Sequence, residues 1–100
     1  MWTRKETKEW IEKTCGSGWL KLIDEVYDKL PHDLHINQAY QKWGILMFDL
    51  EGEDEEFTKF LEDIENKSSE TCEICGIEGN EVTIKGWVHT RCENHLENSY

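Results

Sequence analysis

The feature that most constrains this chain is a set of three cysteines and one histidine near its C-terminus. Cys72 and Cys75 are separated by two residues, sixteen residues separate Cys75 from Cys92, and His95 repeats the two-residue spacing after Cys92. Two such short knuckles can bring four ligands onto one tetrahedral ion without long-range adjustment. The spacing therefore predicts a Zn²⁺ site formed by Cys72, Cys75, Cys92 and His95.

Two other residues compete for this site. His89 lies three residues before Cys92 and is the main alternative to His95 as the fourth ligand. Cys15 is distant in sequence, and a lone cysteine close to a tryptophan is more often a small core residue. Four cysteines can also form two disulfides, but the CxxC and CxxH spacings without a signal peptide favour reduced, metal-bound thiolates.

The number of ligands indicates what the zinc does. A catalytic zinc keeps an open coordination position and usually has a carboxylate nearby, whereas four protein ligands close the site. Glu73 and Glu93 lie inside the two knuckles and reach a substrate only if the site opens. The sequence contains neither the deaminase pattern, nor H-E-x-x-H, nor a phosphate-binding glycine pattern. It therefore predicts a structural site, no catalytic residues and no enzyme.

The charge of the chain is strongly negative and concentrated in one segment. The formal net charge is −11, and residues 49–70 hold ten acidic residues against two lysines. Nucleic-acid binding depends on clustered Lys and Arg, so this balance predicts no direct binding of nucleic acid. Such a face either keeps a small protein soluble or attracts a basic partner. The candidate partner-binding residues are Glu53, Asp54, Glu55, Glu56, Glu62 and Asp63.

Length and hydropathy set the remaining bounds. A chain of 100 residues suits a single domain with one modest core. We expect residues 1–69 to form a helical part that contains one strand, and residues 70–97 to form a zinc-binding module packed on it. No stretch approaches the roughly 18–20 consecutive apolar residues of a membrane span, and no hydrophobic signal region follows the charged start. These features predict a cytoplasmic protein that does not enter a membrane.

Apolar periodicity predicts an α+β fold with three to four short helices, a small antiparallel sheet and the zinc knuckle module. The predicted helices cover residues 3–14, residues 19–30, residues 53–66 and a segment from Asp33 to Trp43 that ends at a left-handed Gly44. The predicted strands lie near residues 45–50, covered on both faces, and near residues 82–88, half-exposed.

Three segments occur in an order that resembles a small phage and prophage protein family. They are Cys-Gly-Ser-Gly-Trp-Leu-Lys-Leu-Ile-Asp-Glu at 15–25, Gln-Lys-Trp-Gly-Ile-Leu-Met-Phe at 41–48, and the cysteine module. Members of that family share a Gly-x-Gly-Trp segment before a Leu-Ile-Asp-Glu helix, a Lys-Phe-Gly-x-Leu-Arg-Phe strand, and a closing C-E-x-C-G…G-W…T-x-C-x-x-H. The positions that match the closing pattern are Cys72, Glu73, Cys75, Gly76, Gly86, Trp87, Thr90, Cys92 and His95.

The resemblance covers about residues 15–95 and implies His95 as the fourth ligand. Trp43 stands where the family has Phe, and Met47 stands where Arg is usual, so an activity that depends on this Arg does not transfer. The resemblance implies a phage-borne accessory protein, a class rich in small inhibitors of host enzymes and defence systems. This is an argument from analogy with a family.

Charge, zinc and resemblance together favour a non-enzymatic protein that binds and inhibits a host protein with a basic surface. The target would be a nucleic-acid-handling or anti-phage defence factor, and the acidic residues would imitate phosphate charge. One alternative is a small zinc metalloenzyme or nuclease accessory in which His89 or Glu93 transfers a proton. Another is a regulatory zinc module that forms a homodimer through exposed tryptophans.

Overall fold

The computed structural model describes residues 2–96 and has an α+β fold. Within these residues it contains three α-helices and two small antiparallel sheets. The elements are α1 (Arg4–Thr14), α2 (Leu20–Lys29), β1 (His35–Lys42), β2 (Ile45–Glu51), α3 (Glu55–Ser68), β3 (Asn80–Ile84), β4 (Trp87–Arg91) and a 3-10 turn (Glu93–His95). The predicted end of the zinc module at residue 97 lies outside the described residues.

The first two helices confirm the sequence prediction within one residue at each end. Thr3 caps α1 through a reciprocal capping box with Glu6, which satisfies backbone donors at the start of the helix. In α2 the residues Leu22, Ile23 and Val26 are buried, as the apolar spacing predicts. The two helices pack against each other and contribute to one core.

The predicted helix from Asp33 to Trp43 is wrong, because most of this segment forms strand β1. β1 pairs antiparallel with β2 through a two-residue turn at Trp43 and Gly44, and both turn residues have positive φ angles of 56° and 78°. A hairpin turn of type I′ requires this combination. Gly44 does adopt the left-handed conformation, but in a hairpin and not at a helix end.

Strand β2 confirms the predicted strand, although it is not covered on both faces. Leu46 is fully buried, whereas Asp49 and Glu51 are exposed. Because β2 pairs only with β1 among the described residues, it is not the centre of a larger sheet. Its inner face packs on α3, which joins the same core.

Helix α3 is the predicted acidic helix, displaced by two residues toward the C-terminus. The side chain of Asp54 caps its start by accepting a hydrogen bond from the backbone N–H of Phe57 at 2.8 Å. Phe57, Leu61 and Ile64 are buried on one side of the helix. At its end, the buried Ser68 accepts a hydrogen bond from the backbone N–H of Leu46, which ties α3 to β2.

The single strand predicted near residues 82–88 is wrong in detail, because the chain turns back within it. Lys85 and Gly86 form a second two-residue turn with φ angles of 52° and 84°, so the segment is the hairpin of β3 and β4. The two predicted strands consequently lie in different sheets. No helix within residues 2–96 is long and apolar enough to cross a membrane.

Candidate metal centre

The structure brings the four predicted ligand residues to one place. Their ligand atoms all lie within 4.8 Å of one another. Cys75 Sγ is 3.6 Å from Cys92 Sγ, and His95 Nδ1 is 3.1 Å from Cys92 Sγ and 3.6 Å from Cys72 Sγ. A tetrahedral ion with metal–sulfur bonds of ~2.3 Å sets its sulfurs roughly 3.8 Å apart, and the 3.6 Å between Cys75 Sγ and Cys92 Sγ is close to that value.

The backbone of the knuckles favours the thiolate form of Cys72. Burial opposes ionisation of Cys72, but the backbone N–H groups of Cys75, Cys92 and Ile74 together lower the Cys72 pKa to about 6. Metal binding requires deprotonated sulfur, so this arrangement prepares a ligand before the ion arrives. Gly76 follows with a φ of 85°, the left-handed conformation that lets the chain turn directly after the first two sulfurs.

A buried carboxylate holds the two knuckles together. Glu73 is 1% exposed, and its Oε1 accepts hydrogen bonds from Arg91 Nε at 3.1 Å and from His89 Nδ1 at 2.7 Å. Its Oε2 accepts a hydrogen bond from Gln41 Nε2 at 3.2 Å, and Arg91 Nη1 donates to the carbonyl oxygen of His95 at 3.2 Å. The carboxylate thus links the first knuckle to β4, to β1 and, through Arg91, to the second knuckle.

This hydrogen-bond network distinguishes His95 from His89 as the fourth ligand, a choice that the sequence spacing left open. His89, the competing ligand, directs Nδ1 at Glu73 and is not part of the four-residue group, whereas His95 is. Sequence reasoning missed the burial of Glu73 and the contribution of Arg91, because a Glu inside a knuckle has no periodicity that marks it as buried. Glu93, in the equivalent position of the second knuckle, is exposed.

The glycine-rich loop between α1 and α2 lies directly against the first knuckle. The N–H of Gly18 donates to the carbonyl oxygen of Glu73 at 2.8 Å, and the hydroxyl of Ser17 donates to the carbonyl oxygen of Ile74 at 3.2 Å. A Cβ atom added at Gly18 would lie 1.9 Å from the carbonyl oxygen of Cys72. The two backbones are therefore too close for any side chain at this position.

Two side chains next to this loop complete the contact between the metal module and the core. Trp19 is fully buried, and its indole Nε1 donates to the carbonyl oxygen of Thr71 at 2.9 Å. Cys15 is half-buried against the core, and burial raises its thiol pKa. It is not one of the clustered ligands, and it packs against the edge of the core rather than within it.

The six acidic residues predicted to bind a partner do not all have the same environment. Glu53, Glu55, Glu56, Glu62 and Asp63 are exposed, whereas Asp54 is half-buried and is engaged as the cap of α3. Glu55 and Glu56 occupy the first turn, where the positive end of the helix dipole stabilises acidic side chains. Asp54 therefore has a role in the fold, and the other five present their carboxylates to solvent.

Comparisons with models of known protein families, with curated proteins and with solved structures found no match to this chain.

Proposed function

We propose that this chain is a non-enzymatic, phage-type accessory protein in which Zn²⁺ has a structural role and an acidic surface binds and inhibits a basic host protein. The target is a nucleic-acid-handling or defence factor in the host cytoplasm, and the acidic surface occupies its basic groove in place of phosphate. The observation that carries the proposal is the arrangement of exposed acids on α3, opposite the buried side of that helix.

Zinc fits the donor set better than other common ions. Three thiolates and one imidazole are soft to borderline ligands, which select Zn²⁺ over Mg²⁺ or Ca²⁺, and a set of three Cys and one His is typical of structural zinc. Cys72, Cys75, Cys92 and His95 would hold the ion and leave no open position for a reacting water. Since Glu73 is engaged by Arg91 and His89, it is not placed to serve as a base for such a water.

The outer face of α3, which we define as Glu55, Glu56, Glu62 and Asp63, forms two acidic pairs. The first pair is Glu55 and Glu62, and the second is Glu56 and Asp63. The two members of each pair are seven residues apart, so they lie on the same side of the helix, two turns and about 10 Å apart along its axis. The buried Phe57 lies on the other side of the helix. The exposed Lys59 lies between the two pairs, so a basic groove would meet four carboxylates and one lysine, and the remaining excess of negative charge supports charge mimicry.

A comparison of two variants with equal net charge tests this proposal. In the first, Glu55, Glu56 and Glu62 are replaced by Gln and Asp63 by Asn. The matched control replaces four exposed acids outside α3 by Gln, namely Glu9, Glu12, Glu78 and Glu81. A host protein that is captured by wild type and by the control, but not by the α3 variant, supports the outer face of α3 as the interface.

The salt dependence of the affinity between this chain and the captured protein provides the second criterion. Exposed charges are strongly screened at about half-molar salt, where the Debye length is only a few Å. We therefore expect the affinity to fall steeply between about 0.1 and 0.5 M salt, mainly because association slows. Equal loss of binding in both variants, or binding that does not change with salt, would contradict charge mimicry by α3.

A further inference from the structure

The two hairpin turns place two exposed tryptophans beside one groove. Trp43 is 69% exposed in the turn between β1 and β2, and Trp87 is 73% exposed directly after the turn between β3 and β4. The groove between the hairpin tips has a volume of about 400 Å³. Its lining residues are Gln41, Lys42, Trp43, Gly86, Trp87 and Val88. We call this surface the tryptophan groove.

The fold holds the two tips in a fixed relation. The buried hydroxyl of Thr90 on β4 donates to the carbonyl oxygen of Gly44 at 2.7 Å. A Cβ atom added at Gly44 would lie 3.0 Å from the carbonyl carbon of His89, so the first turn lies flat on β4. The groove is consequently preorganised, and the binding of a ligand would not have the entropic cost of fixing the two turns.

Trp43 occupies a position that turn chemistry does not favour. Its φ of 56° is in the left-handed region, which bulky residues rarely adopt and which Asn, Asp or Gly fill in turns of this type. The side chain is mostly exposed, so burial does not compensate for the strain. Strained residues of this kind cluster at binding and catalytic sites. The strain and the exposure therefore both point to a role in binding.

The charge around the tryptophan groove is opposite in sign to that of the whole protein. None of its lining residues is acidic, and the stretches 34–48 and 82–92 that supply them contain no Asp or Glu, although the net charge is −11. Lys42 is exposed at the groove, and no carboxylate within residues 2–96 forms an ion pair with it. An anionic partner is therefore favoured locally over a cationic one.

Size and charge argue against two other occupants. Tryptophans bury roughly 150–250 Å² each, so this pair at about 70% exposure supplies roughly 200–350 Å² of the ~800 Å² per partner that a stable interface buries, and Val88 is the other apolar side chain in the lining. A second copy would also bring another net charge of −11. A nucleic-acid strand places many phosphates against the same negative field, and among the lining residues Lys42 is the sole cation to meet them.

We propose that the tryptophan groove binds a short protein segment in which one aromatic or large aliphatic side chain is flanked by Asp or Glu. The apolar side chain inserts between Trp43 and Trp87, and a flanking carboxylate pairs with Lys42. A volume of about 400 Å³ lies near the lower end of the range for ligand pockets, which fits a single large side chain. This surface is separate from the outer face of α3 and does not depend on it.

Selection from a display library of random short peptides on the zinc-loaded protein tests this proposal. The enriched peptides should contain an aromatic or large aliphatic residue beside Asp or Glu, and they should shift the indole N–H signals of Trp43 and Trp87 in NMR spectra. Trp43→Asn and Trp87→Thr should weaken the binding of such a peptide about tenfold or more, whereas the control Trp10→Gln should not. Because Asn suits the turn, Trp43→Asn should melt at the same or a higher temperature than wild type.

Several outcomes overturn the proposal. One is enrichment of basic peptides or of none, and another is equal or tighter binding of oligodeoxythymidine at the same ionic strength. A third is a change of the Trp43 and Trp87 signals with protein concentration alone, which would indicate a second copy in the groove. If Trp43→Asn melts several degrees lower than wild type, Trp43 serves the fold and Trp87→Thr decides the question: unchanged peptide binding by Trp87→Thr would overturn the proposal.

Discussion

The buried carboxylate of Glu73 allows a sharp test of what holds the metal module together. Replacement by Gln preserves the shape of the side chain but removes its charge, so Arg91 is left buried without a counter-charge. The Gln side chain also has only one acceptor oxygen. Its amide NH₂ group would face one of the N–H groups that donate to Glu73 in wild type, and two donors cannot form a hydrogen bond. The chain provides a matched control in Glu93→Gln, because Glu93 also follows the first ligand of a knuckle and is exposed.

The expected magnitude follows from the three hydrogen bonds that Glu73 accepts. A hydrogen bond to a charged group contributes about 1.5–3 kcal/mol, and breaking a buried ion pair costs about 3–5 kcal/mol. Because Gln retains part of the bonding, we expect Glu73→Gln to lower the free energy of unfolding by about 3 kcal/mol. That corresponds to a fall of roughly 12–24 °C in melting temperature for a chain of this size. The exposed Glu93→Gln should stay within about 0.5 kcal/mol of wild type.

Urea unfolding followed by circular dichroism measures both variants, with zinc held at the same excess because bound metal adds to the stability of the folded state. A double-mutant cycle with Arg91→Gln should give a coupling of about 1 kcal/mol or more, since the two side chains are in direct contact. If Glu73→Gln and Glu93→Gln differ by less than about 1 kcal/mol, the carboxylate does not stabilise the module and the reasoning is refuted.

Three further predictions concern the metal and its contact with the core. Removal of the metal by a chelator should abolish hydrogen-exchange protection in residues 70–96 and leave α2 and α3 protected, because the apolar core cluster lies outside residues 70–96. An equal loss of protection throughout the chain would contradict a separate role of the metal in this segment. Gly18→Ala should lower the melting temperature far more than Gly86→Ala. An added Cβ at Gly18 meets a carbonyl oxygen at 1.9 Å, whereas Gly86 has nothing within 4 Å, so that Ala there has only the cost of a left-handed φ of 84°, roughly 1–2 kcal/mol; equal effects would contradict close backbone packing at Gly18. His95→Ala should weaken metal binding in a chelator competition by about 100-fold or more, whereas His89→Ala should retain one ion per chain; the reverse order would make His89 the ligand.

The sequence misled in one segment because a bulge imitated helical spacing. Ile36 and Ala39 are three residues apart, which favours a helix, yet both are buried on β1. The register of the ladder shifts between Ile36 and Gln38, so one additional residue lies between the two buried positions. Trp43 completed the apparent helical pattern but is in fact exposed in a turn. Local spacing could not distinguish these two arrangements.

The second error has a related cause. Alternating residues from Val82 to Val88 predict one strand, but Val82 pairs across the hairpin with His89, and Thr83 pairs with Val88. A two-residue turn lets the alternation appear continuous along the sequence while the chain reverses direction. The turn begins with Lys85, where Asn or Asp usually signals a hairpin of this kind. The characteristic turn residue was therefore missing from the pattern.

Sequence alone determined the candidate ligand residues, helices α1 to α3 and the α+β class, because each depends on spacing within a short stretch of chain. Only the tertiary structure decided that Glu73 is buried, that Gly18 touches the first knuckle and that Trp43 and Trp87 share a groove. These arrangements join segments far apart in sequence through hydrogen bonds, ion pairing and close backbone contact. Such contacts depend on how several elements pack together, so they cannot be predicted from the spacing of residues within a short stretch of sequence.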